Sequence, residues 1–437
     1  MSDAAAGSAS SRIATSAFHR AMGRLHDRDG LVRVTLGPAS AFLVSDPPLV
    51  RQLLVDNAAN YVKGNAVAGI RLALGEGLFT ADNPLWRRQR LLMNPAFHAD
   101  HLARISSVFV DVLDAEMAGL DQAARRGASV ALLDVLIRAN TEMVLRTLID
   151  VEGSLTSRAE ITGLIDAVFS GMARRMLAIF LPSWVLVPGR AAYHRAITAL
   201  DEHIRRIVAH RRSDPVDRGD LLGMLLAAVD GDGNPMSDTQ LRDEIFTMFL
   251  AGNESTATST AWTFVLLSQA PDVAGRLRAE LDEVLAGRAP TLQDLPRLDH
   301  TRRVVAEGMR LYPAFPMYFR TAVGADRLGP HDVRAGSYVV LAPYATHRRP
   351  DVWSEPERFD PDRFAAPGSD RDRPEYYPFG FGQRQCIGRV MARSIAQLTV
   401  ATVMARFDLA SGAGQVAGRY AMTYQPVGLE LRLQPRT

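Results

Sequence analysis

The chain has 437 residues, 47% hydrophobic and 22% charged, an ordinary balance for a soluble globular protein. A formal charge of +2 gives no argument for nucleic acid as a partner, and a single cysteine excludes an internal disulfide while suiting a reducing compartment. No Pro/Gly/Ser-rich linker or charge block divides the chain after residue 20. The expectation is a disordered tip over residues 1–20 and one domain over residues 21–437, long enough to bury a core and enclose a ligand. Met1 to Arg12 is small and polar, unlike a signal peptide, and no stretch is long enough to span a bilayer, so a cytoplasmic location is predicted. The basic residues are almost all arginine; Lys63 is the only lysine, a bias that a GC-rich genome explains as well as function does.

Leu31 to Val44 alternates apolar and polar residues around Gly37-Pro38 and predicts a strand hairpin. Asp46-Pro47-Pro48 then supplies a cap and two prolines whose missing N–H groups cost nothing in a first turn, starting a helix to about Asn57. Gly64 to Thr80 is glycine-punctuated and weakly periodic, a loop with a short helix. Asp82-Asn83-Pro84 is expected to cap the next helix, on which Trp86 and Arg90, four residues apart, share a face. An indole N–H and a guanidinium projecting together suit a carboxylate; a solvated basic helix with a half-buried tryptophan fits the same residues. His98 and His101 are spaced i, i+3 but have no third ligand nearby, and a surface role is expected for them.

Helical periodicity marks His101 to Ala124, Leu132 to Ile149, Ser157 to Met176 and Arg190 to Arg212. Between the last two, Met176 to Pro188 is strongly apolar for a connection: ordinary core, a membrane-touching patch, or the roof of an apolar channel. Ser237-Asp238 caps a segment predicted to stay helical to about Gln269, roughly three times the usual helix length. It is apolar nearly all round from Ile245 to Leu250 and belongs in a core. Its centre reads Ala251-Gly252-Asn253-Glu254-Ser255-Thr256. Glycine and a Ser/Thr pair are odd choices for a buried helix centre, so a widened, wet groove is expected there.

Leu298 to Tyr312 is helical and carries Glu307 and Arg310 at i, i+3, by itself a commonplace surface pair. Met317 to Pro343 reads as short strands and His347 as structural. The tail from Asp408 to Leu433 alternates as a β hairpin that points Met422 or Thr423 into a pocket.

The only cysteine lies in Phe379-Gly380-Phe381-Gly382-Gln383-Arg384-Gln385-Cys386-Ile387-Gly388, ahead of a helix predicted over Ile387 to Phe407. Glycines there let the backbone take positive φ and approach something bulky and flat. A thiolate at the start of a helix is stabilised by the amides of that end. With no histidine nearby in sequence to act as base, a metal ligand fits better than a nucleophile; the bland alternative is a small buried hydrophobe. Phe379, Gly382, Arg384, Cys386 and Gly388 occupy every fixed position of the pattern FxxGxRxCxG. On those residues the chain resembles the cytochrome P450 superfamily. The likeness spans nearly the whole sequence through four motifs in order: WxxxR, AGxES, ExxR and FxxGxRxCxG.

The resemblance implies a mainly α fold, a helical triangular prism with a small β-rich part and a long central helix. It implies haem b (iron protoporphyrin IX), with Cys386 as axial ligand to the iron inside a loop bounded by Phe379 and Gly388. Trp86, Arg90, Arg320 and Arg384 then serve the haem propionates. Glu254 and Ser255 form the acid–alcohol pair that handles bound O2, with Ser255 where the family usually has threonine and Thr256 following. Glu307 and Arg310 are buried and locked to a later arginine, Arg363 in preference to Arg358.

The implied reaction is insertion of one oxygen atom of O2 into a C–H bond of an apolar small molecule. Electrons come from NAD(P)H through separate redox proteins, a ferredoxin and a ferredoxin reductase, with the Arg87-Arg88 edge as a docking site; a monomer is expected. The apolar connection from Met176 to Pro188 becomes the lid. Expected pocket residues are Ile70, Leu72, Leu78, Phe249, Phe315, Met317 and Met422, which suit a terpenoid or other secondary metabolite. A fatty acid is the runner-up and needs a clamp such as Arg71. A peroxide-driven haem-thiolate enzyme and a non-catalytic haem-binding protein complete the alternatives.

Overall fold

The computed structural model describes residues 30–436 apart from 37–38, 149–157, 178–188, 215, 217, 411–415 and 421. The N-terminal tip and nearly all of the apolar connection from Met176 to Pro188 lie outside the described residues. The described part opens with strands β1 (Leu31–Leu36) and β2 (Ala39–Val44), antiparallel with Leu31 opposite Val44. The Asp46 carboxylate accepts from the Leu49 amide and starts helix α1 (Pro47–Arg51), which continues as a π turn, Gln52–Asp56. Strand β3 (Tyr61–Val62), helix α2 (Ala68–Leu74) and helix α3 (Leu85–Met93) follow.

Next come α4 (Ala99–Arg104), α5 (Ser106–Arg125), strand β4 (Ser129–Ala131), α6 (Leu132–Leu148), α7 (Arg158–Leu177), α8 (Arg190–Ser213) and α9 (Leu221–Ala227). The long helix α10 (Asp238–Gln269) is capped by Ser237, whose hydroxyl accepts from the Gln240 amide. After it stand α11 (Pro271–Leu285), α12 (Asp299–Leu311), strands β5 (Tyr318–Ala322), β6 (Asp326–Leu328), β7 (His331–Val333) and β8 (Tyr338–Leu341), and the short α13 (Pro343–Thr346). The cysteine loop leads into α14 (Arg389–Arg406), then β9 (Phe407–Ala410), β10 (Ala417–Tyr420), β11 (Tyr424–Val427) and β12 (Glu430–Pro435).

Helix α10 is the axis of the fold because it has no polar face to keep wet. It packs against α6, α12 and α14, and its second half is buried from Thr256 to Leu267. Trp262 stacks on Tyr312 at 3.9 Å and its indole N–H donates to the Tyr424 carbonyl at 2.6 Å, tying α10 to the tail. Truncating such a buried indole costs about 3–5 kcal/mol. The main sheet, in the order β1-β2-β8-β5-β3, lies beside this helical body, with β2 and β8 parallel. Among the described residues no helix is long and apolar enough to cross a membrane.

Helix α12 carries the deepest ion pair. Glu307 and Arg310 are fully buried, and Arg310 donates to both carboxylate oxygens, Nε to Oε2 at 2.6 Å and a terminal nitrogen to Oε1 at 2.8 Å. The remaining Arg310 donors reach the carbonyls of His347, Pro356 and Arg358. The Asp360 amide donates to Glu307, and Arg363 Nε lies 3.3 Å from the same oxygen. The Arg358 side chain turns to solvent and pairs with Glu355. His347 is buried between Arg310 and Tyr377: the Tyr377 amide donates to its Nε2 at 2.9 Å.

Several expectations need revision. Asp82 does not cap α3, whose first residue follows Pro84 with no side-chain cap. Its carboxylate accepts instead from the Lys63 and Gly64 amides, because the fold brings the β3 loop beside it. Helix α10 is continuous through Gly252, and Ser255 Oγ donates to the Ala251 carbonyl one turn back at 2.7 Å. The tail is not one hairpin. Strands β10 and β11 form one, whereas β9 and β12 join β4 in a separate sheet.

Candidate active site

Between α10 and the cysteine loop the fold encloses a cavity of about 320 Å³, walled mostly by apolar side chains. Cys386 opens into it from one side, and Glu254, Ser255 and Thr256 line it from α10. The loop is held to the body at Gly382, whose φ is +74° and where a Cβ would meet the Leu54 carbonyl oxygen at 2.1 Å; glycine is required for that approach. The Cys386 amide donates to the Phe379 carbonyl at 2.9 Å, closing the turn before α14. Burial pushes the Cys386 thiol up, opposed by a hydrogen bond from the Gly388 amide and by the Arg90 guanidinium. A bound cation reverses that balance and deprotonates the thiol outright.

A second feature is a cluster of cations on the rim. Lys63, Arg320 and Arg384 all line the cavity and oppose one another, and burial is the first cause of the lowered proton affinity of each. For Arg320 the fall is to about 10. The Arg320 side chain donates only to its neighbour's carbonyl, Phe319, at 2.7 Å, and Asp82 is the acidic group balancing the cluster. Arg384 donates to the Ala81 carbonyl at 2.6 Å and sits over the Trp86 indole at 4.5 Å. Buried like charges with too few counter-charges fit an anionic ligand, and a thiol aimed into the same apolar cavity fits a metal. A haem, with two propionates and an iron, satisfies both at once.

Arg90 stands apart from that cluster. Its guanidinium donates to the Gln385 carbonyl at 2.7 Å and acts on Cys386, so Trp86 and Arg90 share a helix face without sharing a target. The α10 side is arranged differently. Ser255 bonds its own helix, and Glu254 turns to the tail, where its Oε1 accepts from Thr423 Oγ1 and from Gln425 Nε2 at 2.8 Å. Burial pushes the Glu254 carboxyl up, partly offset by those two donors.

Of the expected pocket residues, Ile70, Leu78, Phe315, Met317 and Met422 line the cavity. Leu72 does not: it is 44% exposed on the outer face of α2. Phe249 packs in the core behind α10, two positions from Thr247 and Ala251, which take the cavity face. Arg71 donates to the Thr80 carbonyl at 2.8 Å and pairs with Glu76, so it is committed elsewhere. His101 is buried against the cavity and not on the surface, because Leu102 of α4 and Ile105 just after it pack inward; His98 stays exposed. Arg88 is held by Asp230 at 2.6 Å and by Gln240, which leaves Arg87 as the exposed member of that pair. Sequence reasoning missed Lys63, whose one signal was being the only lysine in an arginine-rich chain, and the Gln425 partner of Glu254, for which no local signal exists.

Comparison with known proteins agrees with this geometry. The family described as Cytochrome P450 matches residues 7–417. A cyclooctat-9-en-7-ol 5-monooxygenase from Streptomyces melanosporofaciens is 33% identical over 87% of this chain and 82% of its own. A pentalenene oxygenase from Streptomyces avermitilis is 32% identical over 95% of this chain and 92% of its own. The crystal structure of the cytochrome P450DA heme domain superposes with a TM-score of 0.86 at 26% identity, covering 96% of this chain and 92% of that one. A thiol, a cation-rimmed cavity and a helical frame shared over this length have one explanation: the chain belongs to the cytochrome P450 family and is a haem-iron monooxygenase.

Proposed function

We propose that this protein inserts one oxygen atom of O2 into a C–H bond of an apolar, terpenoid-type small molecule. Electrons come from NAD(P)H through a ferredoxin and its reductase. The observation that carries the reading is the single cavity that Cys386 and the Glu254–Ser255–Thr256 segment both face. When bound, a haem ligated by a cysteine thiolate supplies the reducible iron at which O2 is activated. Cys386 holds that metal, and Lys63, Arg320 and Arg384 balance the propionate charge, with Trp86 bracing Arg384 by a cation–π contact. Arg90 pins the loop backbone and favours the thiolate. Phe379 and Gly388 shape the wall around the sulfur.

Burial raises the proton affinity of Glu254, which suits it to carry a proton, and Ser255 and Thr256 offer hydroxyls beside it for transfer toward O2. Ile70, Leu78, Phe315 and Met317 exclude water and give the substrate apolar contact. Arg71, the expected clamp for a fatty-acid carboxylate, is engaged by Thr80 and Glu76. The names of the two Streptomyces relatives, a cyclic alkenol oxidised at carbon 5 and pentalenene, support a greasy polycyclic scaffold. Arg87 remains available on the exposed face of α3 for an acidic ferredoxin.

The test begins with the reduced, CO-bound protein, whose Soret band should be red-shifted as thiolate ligation requires. Cys386→Ala should lose that band; a spectrum indifferent to the change would sink the reading. A library of apolar polycyclic compounds should then yield low-to-high spin shifts. Product should form with ferredoxin, reductase and NAD(P)H and much more slowly with peroxide alone. Equal rates with peroxide mean a peroxygenase, and no product under either condition means a binding protein.

A further inference from the structure

The Glu254 carboxyl is served by the C-terminal hairpin and not by α10. Its Oε1 accepts from Thr423 Oγ1, just before β11, and from Gln425 Nε2 at 2.8 Å, within β11. Both donors are buried, and both lie about 170 residues along the chain from Glu254. Gln425 has a partner of its own: Arg419 on β10 stands directly opposite it in the antiparallel register and donates to its Oε1 at 3.0 Å. That contact fixes the amide. A guanidinium has donors and no acceptor, so the amide oxygen must face Arg419 and the NH2 group must face Glu254. Arg419 is exposed, and it is also the charged group that acts on Glu254 across this packing. A second hydroxyl contact, Thr258 to Thr423 at 3.1 Å, holds the threonine from α10.

We propose that Thr423, Gln425 and Arg419 are positioning residues that hold Glu254 and set the pH range over which it keeps a transferable proton; this rests on the monooxygenase reading above. Neutral donors, the Thr423 hydroxyl and amide and the Gln425 side chain, stabilise the carboxylate without neutralising it. Burial favours the acid form, and the donors pull against it. The proton therefore stays movable, whereas a direct cationic partner would strip it away. In the transfer, the proton leaves the Glu254 carboxyl for an acceptor in the cavity, the carboxylate is held by Thr423 and Gln425, and water replaces the proton. No electrons move and no other bond changes.

The test uses the full-length ferric haem protein. The infrared C=O stretch of protonated Glu254, assigned by its loss in Glu254→Gln, is followed as pH is raised. Removing a donor that favours the charged form raises the midpoint, so Gln425→Leu and Thr423→Val should each move it up by about one pH unit. Thr423→Ser, which keeps the hydroxyl, should restore the original midpoint. Arg419→Gln should give a smaller upward shift and is a surface change that leaves folding intact. The alkaline limb of the product-formation profile should shift in the same direction. Midpoints unmoved in Gln425→Leu, Thr423→Val and Arg419→Gln, with the thiolate CO spectrum intact, overturn this proposal alone. Absence of that spectrum in the unaltered protein overturns the monooxygenase reading instead.

Discussion

Two buried glutamates sit on neighbouring helices, and burial raises the proton affinity of both. Glu307 on α12 is answered by charge: Arg310 takes both oxygens in a bidentate pair, with Arg363 alongside. Glu254 on α10 is answered by a hydroxyl and an amide. A bidentate guanidinium holds a carboxylate as an anion and fixes its geometry, which suits a structural lock between α12 and the segment ahead of the cysteine loop. Neutral donors offset part of the effect of burial without supplying a counter-charge, which suits a group that exchanges a proton. The same side chain serves structure or reaction according to whether its partner is charged.

The largest expected effect is on the lock. Arg310→Ala strands Glu307 in a fully buried site, and breaking such a pair costs about 3–5 kcal/mol, a large part of a typical stability of about 5–15 kcal/mol. Little folded, haem-loaded protein should be recovered, as measured by soluble yield and the ratio of Soret to protein absorbance. Glu254→Gln should separate cleanly from this. It should fold and load haem normally while product formation falls by about 10²-fold or more. Loss of haem loading in Glu254→Gln would erase the contrast between the two glutamates.

A third buried glutamate sharpens the comparison. Glu244 accepts only from the Leu78 amide at 2.9 Å, and burial pushes its pKa up to about 8. The folded state thus holds a proton that the unfolded chain releases above about 4.5, so stability falls as pH rises between about 4.5 and 8. The slope from this group is at most about 1.4 kcal/mol per pH unit. Thermal unfolding across that range should show the fall, and Glu244→Gln should flatten it. The smallest effect is at Ser255. Ser255→Thr adds the methyl that restricts the hydroxyl rotamer. Product formed per NAD(P)H consumed should rise by a factor of a few, with the fold unchanged.

The division between what the sequence discloses and what it hides follows the range of each interaction. The cysteine loop and the Glu307–Arg310 pair are spaced within one or two turns, so they are written in local spacing; the shared helix face of Trp86 and Arg90 is local too, but their separate targets are not. The length of α10 is legible because its apolar surround has no other home than a core. Thr423 and Gln425 reach Glu254 from about 170 residues away, and no local pattern records that meeting. His101 and Leu72 deceived for a related reason: burial depends on which way a short helix turns, and α2 and α4 have few turns to average over. Asp82 has the form of a cap, but two amides from the β3 loop compete for its oxygens and win.

The solitary lysine carries a practical consequence. Lys63 lines the cofactor cavity with its ammonium 3.7 Å above the Phe79 ring, and its neighbours and burial hold its proton affinity well below that of an ordinary lysine. An amine-selective reagent meets one lysine side chain in the whole sequence, beside the α-amino group of the chain. If Lys63 pairs with an anionic group of the bound cofactor, its rate of modification should be lower in the loaded protein than in protein stripped of it. The residue that composition alone would dismiss as a genomic leftover thus becomes a built-in reporter of cofactor loading.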